Sequence, residues 1–227
     1  LATARHIIVL AEPGAGKSEL LKKLAVTLGA EHFTANVFNQ IGPEGNNNAV
    51  VIDAIDELVK HEQTALKQLL GLLRKSRPKQ IVLSSRSSEW DQASTRLYQD
   101  FLGHEPFVVR LKPFEEQDQR AIFEAYKPSE DFNRFAKELE RFNLTSLLPN
   151  PKFLQLFSDA YVESDRRFND KRSIFRLSVE HLAKETNENT IISDADLSPA
   201  QKVSLSAEIF AKLLLSGAEG VTISQAE

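Results

Sequence analysis

Residues 11–18 read AEPGAGKS, and they directly follow the apolar run IIVL at residues 7–10. This is the G-x-x-x-x-G-K-[ST] pattern of a phosphate-binding loop, with Ala11 in place of the first glycine. Such a loop joins a buried strand to a helix N-terminus, where backbone N–H groups converge on phosphate oxygens. The stretch therefore predicts an α/β fold and a ligand class, a nucleoside triphosphate with Mg2+.

The residue types of this loop each serve the binding of phosphate. Gly14 and Gly16 let the backbone curl tightly and approach the phosphates. Lys17 supplies a positive charge for the β- and γ-phosphates, and Ser18 offers a hydroxyl to Mg2+. The predicted nucleotide contacts in this segment are Glu12, Pro13, Gly14, Ala15, Gly16, Lys17, Ser18 and Glu19.

A second motif, VVIDAIDE at residues 50–57, is a buried-type strand that ends in acids. Asp53, at the carboxyl end of the strand, can hold Mg2+ through its water shell. Asp56 and Glu57 could polarise an attacking water or contact the metal shell, and which of them is the catalytic acid stays open. The alternative for Asp56 is an acidic helix N-terminus, which the helix dipole favours.

A third segment, QIVLSSR at residues 80–86, is another buried-type strand that ends in small polar residues and an arginine. Open α/β sheets bind ligands at the carboxyl ends of their strands. Arg86 is therefore predicted to lie near the γ-phosphate, where a guanidinium can detect that group. The alternative is a surface arginine paired with Glu89 or Asp91.

In this order, EPGAGKS at 12–18, DAIDE at 53–57 and SSRS at 84–87 resemble a NACHT-type ATPase of the STAND class, within the wider AAA+-like group of P-loop proteins. The family typically has Asp-Gly-x-Asp-Glu in the second motif, where this chain has Ala54. The resemblance implies an ATP-driven switch module of a larger cytoplasmic protein with sensor and effector regions. In bacteria, such proteins often serve in defence against phage.

The resemblance continues downstream. Residues 107–114 look like the strand and Leu-x-Pro-Phe turn that close the nucleotide domain of this class. Residues 150–154, NPKFL, open a helix much as a proline-led helix of the adjoining helical domain does. The resemblance places Pro151 beside the adenine ring, although Pro149 is close by and proline is common at the first position of helices.

Composition narrows the classes of partner. The 227 residues carry a net charge of −4, which gives no basic footprint for nucleic acid, and the basic cluster at 74–79 is interpreted as a solvated helix end. The chain has no cysteine, which excludes disulfides and thiol chemistry. No apolar run has membrane length, so no membrane partner is expected.

The order of elements predicts a P-loop α/β domain followed by a mainly helical one. Strands are expected at 7–10, 50–52, 81–84 and 107–111, with one helix over 57–75. The helices expected after Pro113 span 115–126, 131–142, 152–162, 172–186 and 199–215, the last with Ser198 as N-cap. The predicted domains are 1–113 and 114–227, with a further domain starting near 219 and nucleotide bound between the first two.

These observations favour a slow Mg-dependent ATPase, with ATP preferred over GTP because the chain has no Asn-Lys-x-Asp guanine-reading motif. The expected partners are nucleotide, other domains of the same chain and, on activation, further copies. One alternative is an interaction module with negligible turnover, in which ADP is a structural ligand. The others are a metabolic P-loop kinase and a DNA-directed AAA+ ATPase.

Overall fold

The computed structural model describes residues 4–42, 48–61, 64–184 and 197–217. The chain divides into two compact units. The sheet unit contains the described residues up to Glu115 together with Asn150–Lys152. The helical unit contains Glu116–Pro149 and the described residues from Phe153 onward. The division after Glu115 lies close to the predicted boundary at 113, whereas the predicted domain start near 219 lies outside the described residues.

A parallel sheet forms the centre of the sheet unit. Its strands are β1 (His6–Ala11), β2 (Glu31–Thr34), β3 (Ala49–Asp53), β4 (Gln80–Arg86) and β5 (Phe107–Arg110). Their spatial order is β2-β3-β4-β1-β5, and all four pairings are parallel. The strand β4 therefore lies between β1 and β3, so the carboxyl ends of the three motif-bearing strands are neighbours.

Helices cover both faces of this sheet, as a parallel sheet requires. They are α1 (Lys17–Leu28), α2 (Ala35–Ile41), α3 (Ile55–His61), α4 (Ala65–Ser76) and α5 (Gln92–Leu102). Because side chains alternate along a strand, Ile8 and Leu10 of β1 join the core that includes α2 to α5. Ile7 and Val9 join the opposite core with Leu21 of α1. The predicted P-loop α/β fold class is confirmed.

Two sequence predictions for the sheet unit were wrong. The strand β2 was missed because Glu31–Thr34 is short and polar at an edge of the sheet, and all four residues are only half-buried. The single helix predicted over 57–75 is two helices, α3 and α4. The apolar face of α4 begins only at Ala65, after the polar stretch HEQT at 61–64.

The helical unit follows the predicted pattern closely. Its helices are α6 (Glu116–Tyr126), α7 (Phe132–Glu140), α8 (Pro151–Glu163, of which the first two residues belong to the sheet unit), α9 (Lys171–Lys184) and α10 (Pro199–Ser216). The predicted end of α9 at residue 186 lies outside the described residues. Ser198 caps α10 in a capping box, with Pro199 as its first residue, as predicted.

Phenylalanine stripes form the core of the helical unit. The rings of Phe123 and Phe135 stack with their centroids 4.6 Å apart, and both are fully buried. Phe157, Tyr161 and Phe168 belong to the same cluster. Among the described helices, none combines the length and the apolar character that a membrane crossing requires.

Candidate phosphate-binding site

The loop after β1 begins with a tight turn over Glu12–Ala15. The Ala15 backbone N–H donates to the Glu12 carbonyl oxygen, with 3.2 Å between nitrogen and oxygen. Pro13 and Gly14 occupy the central positions, and Gly14 has a φ of +77°. A proline at the first central position and a positive φ at the second are typical of a type II turn. Gly14 is therefore required for the turn itself.

The N-terminus of α1 is left open to an anion. Gly16, with a φ of +78°, precedes Lys17 as the N-cap, and no side chain caps this end. The first intrahelical bond runs from the Leu20 N–H to the Gly16 carbonyl oxygen over 3.1 Å. The N–H groups of the first turn, including those of Lys17 and Ser18, have no partner within the helix, and the helix dipole makes this end attractive to phosphate.

Residues Asn150–Lys152 of the sheet unit lie against the loop. The Asn150 Nδ2 donates to the Pro13 carbonyl oxygen over 2.9 Å, and the Lys152 N–H donates to the Gly14 carbonyl oxygen over 3.2 Å. A Cβ atom added at Gly14 would lie 2.8 Å from the Lys152 Cβ. The ring of Pro151 lies beside Gly16, 3.8 Å from where a Cβ would stand. Its contact with adenine stays a prediction.

Asp53 is buried at the end of β3, and neighbouring groups fix its carboxylate. Its Oδ1 accepts hydrogen bonds from the Ala54 N–H over 2.8 Å and from the Ser84 hydroxyl of β4. The Ala54 N–H also donates to the Ser84 Oγ over 3.0 Å. Among the described residues, none donates a hydrogen bond to Oδ2, so that oxygen remains for another ligand.

Ala54 has a φ of +61°, in the left-handed region that favours glycine. An alanine there costs about 1 kcal/mol. Its backbone N–H donates to the same Asp53 oxygen as the Ser84 hydroxyl does, so the strained residue lies directly beside the Asp53 carboxylate.

Asp56 lies beside two positively charged side chains. Its side chain is 2% exposed, and its Oδ2 lies 2.8 Å from the Arg86 Nε. Its Oδ1 accepts a hydrogen bond from the Arg86 backbone N–H over 3.2 Å and lies 3.7 Å from the Lys17 Nζ. The structure thus brings the predicted residues Lys17, Asp56 and Arg86 together. Asp91, an alternative partner for Arg86, instead caps α5 through Ser94.

Glu57, the other predicted acid, has a different environment. It lies in the first turn of α3 and is exposed. Its carboxylate makes no ion pair or hydrogen bond with the described part of the chain, whereas both oxygens of Asp56 are engaged. The two neighbouring acids are therefore not equivalent: Asp56 holds cations, and Glu57 faces solvent.

The donor set fits a magnesium ion bound together with a phosphate. Within the described ranges, no group of three or more His, Cys, Asp or Glu side chains could hold a metal by itself. Mg2+ commonly takes one or two protein oxygens and completes its shell with water and substrate phosphates. Ser18 and the open oxygen of Asp53 are the protein ligands that this arrangement would use.

Three contributors to the site were not among the predicted site residues. Ser84 orients Asp53, Ala54 supplies the backbone N–H beside it, and Asn150 holds the loop. Ser84 could have been found because it lies near the carboxyl end of a buried-type strand, and open α/β sheets bind ligands at those ends. The role of Asn150 depends on a contact across 137 positions, which no local pattern indicates.

No family model and no curated protein matches the chain. Solved structures are similar in fold. Domain III of the replication initiation protein DnaA from Thermotoga maritima is 15% identical, with a TM-score of 0.49 over 77% of this chain and 83% of that one. The RuvB Holliday junction branch migration motor of Thermotoga maritima is 13% identical, with a TM-score of 0.49 over 96% and 71%.

A katanin structure is 15% identical, with a TM-score of 0.46 over 98% of this chain and 74% of that one. At these identities the similarity concerns the fold alone. The chain itself has a parallel five-stranded sheet whose first strand leads into a phosphate-binding loop and a helix, which is the fold of P-loop nucleotide-binding proteins.

Proposed function

We propose that this chain binds ATP with Mg2+ at the carboxyl ends of β1, β3 and β4 and hydrolyses it slowly. One observation supports this proposal most directly. The carboxyl ends of these strands bring together Lys17, Asp53, Asp56 and Arg86, beside the open N-terminus of α1. Cations, oxygen ligands and backbone N–H groups are the parts that phosphoryl transfer requires.

The site holds two cations beside the phosphate-binding loop. Lys17 and Arg86 carry two positive formal charges, and the two buried carboxylates of Asp53 and Asp56 balance them. Both cations are already held close to the phosphate-binding loop, so binding costs little side-chain entropy. When bound, Mg2+ would neutralise charge on the phosphates, with Ser18 and Asp53 as its protein ligands.

Glu57 is the proposed general base, and Asp56 is the proposed positioning residue. Asp56 is committed to Lys17 and Arg86, because each of its two oxygens lies beside one of these cations. Glu57 is the adjacent carboxylate that is free to accept a proton. A carboxylate in this position orients and deprotonates an attacking water.

An alternative class is a nucleotide-binding interaction module with negligible turnover. The engagement of Asp56 with both cations favours it, because a site already neutralised in this way can hold ADP without chemistry. Glu57→Gln separates the two classes. A hydrolase loses turnover in this variant while it still binds ATP, whereas a structural ADP site has no turnover to lose.

We further propose that the chain is a STAND-type switch, which the motifs at 12–18, 53–57 and 84–87 support. In that role the chain self-associates when ATP replaces ADP, within a larger signalling protein of the kind used in antiphage defence. Light scattering of the chain with ADP and with a non-hydrolysable ATP analogue tests this. An ATP-dependent increase in mass is expected, and equal masses in the two states would contradict the switch.

A further inference from the structure

The turn of the phosphate-binding loop has a partner that is distant in sequence, Asn150. The Asn150 Nδ2 donates to the Pro13 carbonyl oxygen over 2.9 Å. The Oδ1 of the same carboxamide accepts from the Lys152 backbone N–H, also over 2.9 Å. One side chain therefore caps the start of α8, as an N-cap asparagine does, and, within the sheet unit, fastens residues 150–152 to the loop.

The bond to Pro13 acts on the part of the turn that can flip. Type I and type II turns differ mainly in the orientation of the peptide between the two central residues. Glycine at the second central position accepts both forms, because it has no Cβ atom. The sequence Pro13-Gly14 therefore permits two loop conformations, and the hydrogen bond from Asn150 holds the peptide in the type II orientation.

This orientation decides where a backbone donor points. In a planar trans peptide, the carbonyl and the N–H point in opposite directions. Because the Pro13 carbonyl is directed at Asn150, the Gly14 N–H is directed away from it. The Lys152 N–H holds the next carbonyl, that of Gly14, over 3.2 Å. Two successive peptides of the loop are thus fixed from one side.

A concave anion site works only when its N–H groups aim at the same point. We infer that Asn150 is a positioning residue that keeps the phosphate-binding loop in its anion-binding form. The inference rests on the proposed function for the identity of the ligand. The geometry of the loop itself does not depend on that proposal.

Two variants separate the loop contact from the helix cap. Asn150→Ser retains a good N-cap for α8, but its side chain is shorter by the group that reaches Pro13. Asn150→Ala loses both functions. The matched control is Asn133→Ala, which removes an asparagine that accepts a 2.8 Å hydrogen bond from Arg120 in the helical unit.

Two readouts are taken on each variant of the full chain: the backbone amide signals of Gly14 and Ala15 in the nucleotide-free protein, and the affinity for ADP. Both Asn150 variants are expected to shift or broaden these signals and to weaken ADP binding about three- to tenfold, the worth of one hydrogen bond. Asn133→Ala is expected to change neither. Only Asn150→Ala is expected to lower the unfolding temperature appreciably.

Wild-type amide signals and wild-type ADP affinity in Asn150→Ser would overturn the inference and reduce Asn150 to a helix cap. A wild-type chain that binds no ADP would instead refute the proposed function. In that case the amide signals of Gly14 and Ala15 still decide whether Asn150 holds the turn.

Discussion

The Arg86 Nε lies 2.8 Å from the Asp56 Oδ2, which joins the end of β4 to the start of α3. The backbone N–H of Arg86 also donates to Asp56, so the contact fixes both the side chain and the strand end. Arg86 is thereby held beside Lys17, which lies 3.7 Å from the same carboxylate. Under the proposed function, this arrangement places the Arg86 guanidinium where it would meet the γ-phosphate, which ATP has and ADP lacks.

Arg86→Ala is expected to weaken ATP binding more than ADP binding. A charged hydrogen bond is worth about 1.5–3 kcal/mol, so the ratio of the two dissociation constants should change about tenfold or more. Titration with fluorescent ATP and ADP analogues measures this ratio. Arg96→Ala, which removes an exposed arginine on α5, is the control and should leave the ratio unchanged. An equal loss for both nucleotides would contradict the assignment.

Ser84 and Ser85 provide a test with a built-in control. Both are buried, at 0% and 1% exposure, but only the Ser84 hydroxyl holds Asp53. The Ser85 Oγ has no hydrogen-bond partner among the described residues. Ser84→Ala is expected to lower Mg-dependent turnover about 10- to 100-fold, as loss of a metal-orienting partner does.

The same change should cost about 1–3 kcal/mol of stability, because it removes a buried hydrogen bond. Ser85→Ala should change stability by less than about 0.5 kcal/mol and leave turnover intact. Steady-state kinetics at varied Mg2+ and denaturant unfolding measure the two effects. If both variants behave alike, the Ser84–Asp53 contact has no functional role.

The parts of the site that lie within one short stretch of sequence were predictable. The loop at 11–18 and the acids at 53–57 are each one strand end followed by one helix start, and the structure has them in that form. The order of strands was not predictable from these motifs, because nothing in the sequence of β4 indicates that it lies between β1 and β3. The position of β4 between β1 and β3 is what brings Ser84 and Arg86 to Asp53 and Asp56.

The sequence pattern also did not predict the backbone conformation at the end of β3. The replacement of glycine by Ala54 looks conservative, yet the structure gives this residue a φ of +61°. Alanine has no local propensity for that conformation, so contacts of the surrounding sheet must impose it. Likewise, the strand β2 is too short and too polar for alternation to reveal it.

The stability of the chain should fall as the pH is lowered, partly through His6. Burial lowers the pKa of His6, and His104 and Arg5 lower it further. Burial also lowers the pKa of His32 and outweighs the opposing effect of Asp53. The unfolded state therefore binds protons first, and stability present above the ordinary His pKa of 6.5 is lost as the pH falls below it.

Unfolding at about pH 7.5 and about pH 5.5, on either side of that ordinary pKa, measures this loss. His6→Gln and His32→Gln should each make stability less dependent on pH, and the double variant should have the smallest dependence. His6 makes a 2.9 Å hydrogen bond to the Tyr98 hydroxyl, so His6→Gln also lowers stability at pH 7.5. A pH dependence unchanged in the double variant would show that His6 and His32 do not cause the loss of stability.

The most direct test of the central claim is ATP turnover with Mg2+ in the wild-type chain and in Lys17→Ala, with Lys23→Ala as the control. Lys23 is an exposed lysine on the same helix as Lys17. We expect measurable turnover that falls about a hundredfold or more in Lys17→Ala, because a preorganised charge is removed from the phosphates. Turnover should be unchanged in Lys23→Ala. Turnover that survives in Lys17→Ala, or a wild-type chain that neither binds nor hydrolyses ATP, would contradict ATP hydrolysis at this site.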